Sequence, residues 1–257
     1  MITGTPALSR PNELFTQLDM ILSSKLTWFD KYQFGRRYCN GIETIFGFED
    51  KGASNLHELN FLLTRTVMLR RLKDEVLTDL PPKVREHVYI TIEDKYRSEL
   101  QKGLSKLQQN SNSMLSVQNV QEHNDKKFEN NFEYSQLFQL SGQAKLKSIL
   151  QYVDNLLEYK KKFLIFAHHI AILDGIQAHV KKKQIGFMRI DGSTPTMNRQ
   201  KNTDKFQNDP ECIVAILSIK AAGTGLTLHA ASHVVFAELI WNPGELFQAE
   251  GNKINKN

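Results

Sequence analysis

The sequence predicts an α/β protein built on a parallel β-sheet with helices on both faces. Four apolar runs that are typical of buried strands occur at 163–167, 187–191, 212–218 and 233–238. A helix is predicted between the first two runs, where apolar residues recur at helical spacing. Another is predicted between the second and third runs, where Thr194-Pro195 is typical of a helix start. Strands that alternate with helices at this spacing form parallel sheets, whose ligands bind at the carboxyl ends of the strands.

The first part of the chain predicts helices rather than strands. Apolar residues at helical spacing follow Pro11. A second helix is predicted to begin at Asn55, where Glu58 three residues later completes the pattern of a capping box. Pro81-Pro82 ends any helix that precedes it. Residues 101–136 are rich in Gln, Asn, Ser and Lys and predict a polar insertion that is helical or flexible.

Net charge and cysteine content exclude few classes of function. The formal charge of +5 and the pI near 9.0 are compatible with a polyanion partner, but equally with an ordinary basic protein. Cys39 and Cys212 are far apart and form no CxxC motif, so neither a disulfide framework nor a zinc site is indicated. No apolar run approaches the roughly 20 residues of a membrane span, so no membrane partner is expected.

The loops after the first two predicted strands each allow two interpretations. His168 and His169 could be metal ligands, but adjacent strand residues point to opposite faces and no third ligand is evident, so a metal is not expected. The segment DGST at 191–194 could present backbone N–H groups and hydroxyls to a phosphate, or could be a turn that caps the next helix.

The loops after the third and fourth strands are also ambiguous. The segment SIKAAGTGLTL combines glycines, hydroxyls and Lys220, which is the composition of a phosphate-binding loop. Alternatively, it is the start of a helix that packs against the sheet. Trp241 could be an exposed aromatic residue, but taken alone it favours the core. Residues 47–54 have P-loop glycine spacing, yet Ala53 replaces the phosphate-binding lysine, so this match is due to chance.

Six segments occur in the order and at the spacing of one motor family: ITGTP (2–6), LRRLKDEVLTDLPPK (69–83), FLIFAHH (163–169), RIDGST with Arg199 (189–199), LSIKAAGTGLTLHAASHVVFAELIWNPG (217–244) and QAE (248–250). Through them the chain resembles the Swi/Snf-related DNA-dependent ATPases of helicase superfamily two. FAHH and FAEL-x-W-x-PG are similar to the annealing-helicase, HepA-related branch. GASNL-x-EL and AASHVVFAEL are most similar to its zinc-finger-bearing annealing helicases.

The resemblance implies two RecA-like lobes that close around ATP and Mg²⁺ and move along duplex DNA. Residues 1–82 would be the C-terminal remnant of the first lobe with a helical protrusion, and residues 83–257 the second lobe. By the same resemblance, DNA contacts come from Ser193, Thr194, Ser218, Lys220, Gly223, Thr224, Gly225 and Trp241. Thr3, Gly4, Thr5 and Pro6 would couple nucleotide state to DNA contact, and Gln248 would face ATP at the lobe interface.

The resemblance also implies that this chain alone neither hydrolyses ATP nor holds a cofactor. The family's P-loop and Asp-Glu box have no counterpart here, and Asn252 and Asn255 stand where the final motif has its arginines. We expect the missing first-lobe elements upstream of Met1. Residues 251–257, rich in Asn, Lys and Ile, fit the hypothesis of read-through past a splice donor after Glu250.

The function implied is that of part of a nuclear ATP-dependent DNA translocase, an annealing helicase that acts in DNA repair and replication-fork remodelling. Its partners would be duplex or forked DNA, bound without sequence preference, and the missing first lobe. Two alternatives stay open. One is a non-catalytic fragment that binds DNA or a protein partner. The other is a stand-alone doubly wound enzyme that uses a small nucleotide or methyl donor, although the Gly-rich turn after the first strand is missing.

Overall fold

The computed structural model describes residues 6–7, 9–22, 30–45, 47–71, 73–76, 84–114, 120–222, 226 and 228–251. They divide into two compact units, one drawn from residues 1–85 and 242–244, the other from residues 86–241 and 245–257. The predicted domain boundary between residues 82 and 83 lies outside the described residues, as does Pro81-Pro82, and stays a prediction. None of the described helices combines the length and apolar character that crossing a membrane requires.

The first unit is mainly helical. Its elements are α1 Asn12–Ile21, α2 Lys31–Tyr38, the antiparallel strands β1 Ile42–Thr44 and β2 Gly47–Glu49, α3 Leu56–Thr66 and α4 Lys73–Val76. A small core joins α2 to α3 and is formed by Phe34, Tyr38, Cys39, Leu59 and Leu63. The helix predicted after Pro11 is therefore present as α1, with Leu14, Phe15 and Leu18 packed against this core.

The capping box predicted at the start of α3 is wrong, although the helix does begin there. Asn55 adopts a left-handed conformation with φ of 48°, and its side chain makes no cap. Its amide instead donates a 2.8 Å hydrogen bond to the carbonyl of Arg37. Glu58 accepts two hydrogen bonds of 2.7 Å from the Arg37 guanidinium and one of 2.8 Å from the Tyr38 hydroxyl. Tertiary contacts to α2 thus take both groups that a capping box would use.

The predicted polar insertion is helical in its described part. Helix α5 runs over Asp94–Met114 and α6 over Val120–Glu158. The two helices pack antiparallel. Gly103 of α5 faces Leu137 of α6. Asn110, seven residues further along α5, donates to Glu133, which lies four residues before Leu137 in α6. At Gly103 a Cβ atom would lie 2.2 Å from a methyl group of Leu137, so any larger residue here would require that side chain to move.

The second unit contains the predicted parallel sheet. Besides α5 and α6, this unit contains β3 Phe163–Ala167, α7 Ile170–Lys182, β4 Gly186–Ile190, α8 Thr196–Asn208, β5 Cys212–Ser218, α9 Ile219–Ala222, β6 His233–Phe236 and most of α10 Pro243–Gly251. The strand order is β4-β5-β3-β6, and every neighbouring pair is parallel. Ala167 is level with Ser218, and Phe166 with both Leu217 and Phe236. All carboxyl ends therefore lie at one edge of the sheet, called the carboxyl edge below.

Helices cover both faces of this sheet, as predicted. Alternate residues of β3 belong to opposite cores because successive strand residues point to opposite faces. Ile165 packs with residues of α6 and α7, and Phe166 with Phe206 of α8 and Ala249 of α10. Both β3 side chains are fully buried, which is worth about 2 kcal/mol each. The sheet is therefore a rigid base for the loops at its carboxyl edge.

Lys162 stabilises the opposite, amino edge of the sheet. Its ammonium donates to the carbonyls of Phe206, Gln207 and Asp209, at and after the end of α8. A cation at a helix C-terminus also interacts favourably with the helix dipole. We expect Lys162→Met to lower the free energy of unfolding by about 1.5 kcal/mol in urea denaturation. Lys161→Met, at the exposed neighbouring position, is the control and should change it by less than about 0.5 kcal/mol.

Candidate nucleic-acid interface

The carboxyl edge brings together the loops that the sequence singled out. The loops after Ala167, Asp191, Ser218 and Glu238 all leave the sheet there. Of the predicted DNA-binding residues, Ser193, Thr194, Ser218, Lys220 and Trp241 are described and follow these strands. Gly223, Thr224 and Gly225 lie outside the described residues, as do Thr3, Gly4 and Thr5.

Two other predicted residues are described but do not follow a strand of this sheet. Pro6 is half-buried in the first unit, and its carbonyl accepts a hydrogen bond from the side-chain amide of Gln17. Gln248 is half-buried on α10, next to the fully buried Ala249. Their predicted roles in nucleotide coupling and ATP contact stay predictions.

Asp191 organises the turn between β4 and α8. Its Oδ1 atom accepts from the backbone N–H and the hydroxyl of Ser193, at 3.0 and 2.6 Å, and its Oδ2 atom accepts from Arg189 at 2.7 Å. The Asp191 N–H donates to the Thr194 hydroxyl at 3.0 Å. Burial alone would raise the pKa of Asp191, but the hydrogen bonds from Ser193 and Arg189 outweigh it and lower that pKa to about 2. Both hydroxyls thus take part in a turn, as one interpretation predicted, but the predicted capping of the next helix is wrong, because no side chain caps α8.

An open groove of about 560 Å³ lies beside this turn. It is lined by Arg189, Asp191, Ser193, Thr194, Pro195, Asn198, Lys201 and Asn202. The Arg189 guanidinium is engaged by Asp174 at 2.6 Å as well as by Asp191. Lys201 and Asn198 are exposed on α8, so the groove presents an ammonium and an amide to solvent. This lining suits a phosphate backbone better than an apolar ligand.

Arg199 connects the turn at 191–194 to the segment after β5. From α8 its guanidinium donates to the carbonyls of Thr194 at 3.1 Å, Asp191 at 3.3 Å and Ala221 at 3.4 Å. The sequence included Arg199 in a motif without a role for it. Its place on the helix predicted after the turn indicates the contacts with Thr194 and Asp191. The contact with Ala221, 22 residues away, has no local sequence signal.

Lys220 lies on the short helix α9, directly after β5. Ser218 is half-buried at the end of the strand, Ile219 is fully buried and Lys220 is exposed. The segment therefore begins a helix, as one of the two interpretations predicts, and yet leaves the lysine ammonium in solvent. An exposed ammonium at a strand end can pair with an anionic backbone.

Glu238 joins the loop after β6 to the loop after β3. Glu238 is buried, with only 2% of its surface exposed. One carboxylate oxygen accepts from the backbone N–H groups of His168 and His169, each at 2.8 Å, and the other lies 2.6 Å from Nδ1 of His169. This role of His168 and His169 was not predicted from the sequence. Their N–H groups follow the end of β3 and need an acceptor, which is the signal that could have indicated it.

Burial lowers the pKa of His168, and the charges of His169 and Lys220 lower it further. Among the described residues, no three His, Cys, Asp or Glu side chains are grouped so that they could hold a metal ion. The histidine pair instead packs on Phe138 of α6, with ring centroids at 5.2 Å for His168 and 4.8 Å for His169.

Trp241 is exposed, which overturns the core position that its residue type alone favoured. It is 79% exposed, in the segment between β6 and α10. Ile240, the residue before it, packs against the core that contains Ala249 of α10, whereas the indole itself is exposed. Its neighbours are Tyr134, with ring centroids 6.5 Å apart, and Phe138, at 5.9 Å.

The fold is that of the SWI2/SNF2 ATPases, which confirms the predicted RecA-like architecture. The solved SWI2/SNF2 ATPase core domain of Sulfolobus solfataricus matches with a TM-score of 0.51, over 95% of this chain and 52% of that chain. The two are 19% identical in sequence, so the match shows the shared fold alone. Residues 1–152 match the SNF2-related domain, and residues 144–252 match the helicase conserved C-terminal domain. The chain belongs to the SNF2-related family.

Several relatives are similar along nearly the whole chain. The SWI/SNF-related matrix-associated actin-dependent regulator of chromatin subfamily A-like protein 1 of Xenopus laevis is 40% identical, over 97% of this chain and 25% of the relative. Its Caenorhabditis elegans homolog is 43% identical, over 97% and 35%. The human DNA annealing helicase and endonuclease ZRANB3 is 40% identical, over 97% and 23%. The chain thus spans about a quarter to a third of these relatives.

Full-length ATPases of this family use ATP and Mg²⁺. The residues present here do not fit that pair. The sequence contains no Gly-x4-Gly-Lys-Ser/Thr loop to hold the phosphates, and the described carboxylates form no group suited to a metal ion. No step of ATP hydrolysis can therefore be assigned to the described side chains.

Proposed function

We propose that this chain is the DNA-contacting part of an ATP-driven translocase, an annealing helicase that acts in DNA repair and remodels replication forks in the nucleus. The observation that carries the proposal is the shared carboxyl edge, where Ser193 and Thr194, Ser218 and Lys220, and Trp241 follow strands of one parallel sheet. Similarity to a protein named as a DNA annealing helicase supports DNA as the ligand.

The chemistry of this edge suits the DNA backbone. Lys220 and Lys201 supply positive charge, and Asn198 supplies an exposed amide beside the groove. Contacts of this kind bind phosphates without reading base sequence. Gly223, Thr224 and Gly225 would extend the same surface. In the complete motor, Gln248 would face the nucleotide, and Thr3, Gly4, Thr5 and Pro6 would couple nucleotide state to DNA contact. The chain alone would bind DNA without ATP turnover.

The test is the salt dependence of duplex binding. We expect weak binding that falls with salt and is similar for unrelated duplex sequences, because counterion release dominates. Lys220→Gln should weaken binding uniformly and reduce the slope of log K against log[salt] by about one. Fluorescence anisotropy with labelled duplexes measures both.

Lys182→Gln is the matched control for this test. Lys182 is also exposed, but it ends α7 and precedes the amino end of β4, at the opposite edge of the sheet. Its replacement should leave the slope unchanged. An unchanged slope in Lys220→Gln, or an equal loss in Lys182→Gln, would contradict the assigned edge, and the absence of duplex binding would contradict the proposed function itself.

A further inference from the structure

Three aromatic side chains form a cluster at the carboxyl edge, called the aromatic platform: Tyr134 and Phe138 on α6, and Trp241 after β6. Tyr134 and Phe138 are four residues apart and so lie on the same face of the helix. The Tyr134 ring meets the indole at 85° and the Phe138 ring at 52°. Phe138 is half-buried against His168 and His169, so it anchors the platform to the loop after β3.

The platform leaves large aromatic surfaces open to water. Trp241 is 79% exposed and Tyr134 is 43% exposed. Apolar surface in water is unfavourable, and aromatic side chains held side by side at a surface are typical of contact sites. Because both rings of α6 support the indole at an angle rather than covering it, a further planar ring can still stack on it.

Positive charge lies next to the platform. Lys220 is exposed just after β5, which pairs with β3, the strand that leads into His168. Its charge also lowers the pKa of His168, after the larger effects of burial and of His169. Glu245 and Glu238 act on His168 in the opposite sense. The Glu238 carboxylate, however, is buried and hydrogen-bonded to the loop after β3, so it does not present its charge to the surface. The half-buried Glu245 of α10 is the negative charge that remains nearby. An occupant with planar rings therefore fits the platform, with its anionic backbone at Lys220 rather than at Glu245.

We propose that the aromatic platform stacks an unpaired base of a DNA strand whose backbone lies at Lys220. The proposal rests on the proposed function and names its ligand more closely. Bases inside a duplex already stack on their neighbours, whereas the face of an unpaired base is free to stack on an aromatic side chain. The ligand class is thus single-stranded DNA, or a base displaced from a duplex, in addition to the duplex backbone.

The experiment compares three probes on the 257-residue chain: oligothymidylate, a strand of the same length built of abasic sites, and a blunt duplex. We expect oligothymidylate to bind about ten-fold more tightly than the abasic strand, because each stacked base adds affinity that the backbone alone does not. In a Trp28→Phe background Trp241 is the sole indole, and its fluorescence should be quenched by oligothymidylate and not by the abasic strand.

Variants separate stacking from a general loss of binding. Trp241→Ala should abolish the preference for bases over abasic sites, and Trp241→Phe should retain part of it. Phe138→Leu keeps apolar volume but loses the supporting ring, so it should reduce the preference and shift the Trp241 emission maximum. Phe128→Ala removes another exposed aromatic ring of α6 and is the control, with the preference retained.

The outcomes distinguish this inference from the function on which it rests. Equal affinity for oligothymidylate and the abasic strand, with duplex binding intact, would overturn the platform and leave the proposed function standing. A base preference that survives in Trp241→Ala would also overturn it. Failure to bind any of the three probes would overturn both.

Discussion

Glu238→Ala is expected to lower the free energy of unfolding by about 3 kcal/mol. The substitution removes the acceptor for the N–H groups of His168 and His169 and the partner of the His169 ring. These donors lie in a part-buried site, where a lost partner is not replaced fully by water. The loops after β3 and β6 would also lose their connection, so duplex binding should weaken as well. Urea denaturation followed by circular dichroism measures the first effect.

Neighbouring contacts make this carboxylate hard to replace. A Cβ atom at Gly142 of α6 would lie 2.4 Å from Oε1 of Glu238, so the side chain has little room to move. Glu238→Gln keeps one acceptor oxygen and should cost less than the alanine variant. Glu211→Ala, at an exposed position before β5, should change stability by less than about 0.5 kcal/mol. A loss below about 1 kcal/mol in Glu238→Ala would contradict the assigned role.

Asp191 is expected to contribute about 2 kcal/mol of stability at neutral pH that is lost in acid. Its pKa is about 2 in the folded chain, against an ordinary value of 3.8. Since the folded value is the lower one, the contribution is complete above about pH 4 and is lost as the pH falls through about 2. The carboxyl group is buried, so solvent screens it little. Denaturation in urea between pH 2 and pH 5 measures the loss.

Asp191→Asn should be less stable at neutral pH and should lose this acid dependence. Asp174→Asn is the control, because Asp174 also pairs with Arg189 but is exposed, and exposed ion pairs contribute little. If Asp191→Asn kept the same fall in stability between pH 4 and pH 2, other carboxyl groups would be its cause. The Ser193 hydroxyl and N–H would then not be the groups that lower the pKa.

The sheet was predictable because its signal is local. Strands β3 and β5 have the predicted bounds, since each is a continuous apolar run buried on both faces. Strand β6 ends at Phe236, earlier than the predicted 238. Its neighbour β3 ends at Ala167, and the next N–H groups of that chain segment bond to the Glu238 carboxylate instead of to a strand. The Glu238 side chain thus takes the place of a backbone hydrogen-bond acceptor. A run of apolar residues in the sequence does not indicate such a contact.

The connections of the candidate site were less predictable because they depend on which loops become neighbours. Glu238 contacts residues about 70 positions earlier, and Arg199 reaches Ala221 on another segment. At 191–194 the sequence allowed both a phosphate-binding loop and a helix-capping turn. The hydroxyls of Ser193 and Thr194 bond within a turn, but no side chain caps α8. Residue type alone favoured the core for Trp241, but its neighbour Ile240 packs there instead, and residue type does not indicate which of the two is buried.

A backbone-amide NMR titration with a short duplex tests most directly the claim that the carboxyl edge is a single DNA-contacting surface. We expect chemical-shift changes at 191–194, at Ser218–Lys220 and around Trp241, and we expect them to diminish together as salt is raised. Changes confined to the amino edge, around Lys160 and Lys182, would contradict it, because these residues precede β3 and β4 at the opposite end of the same strands.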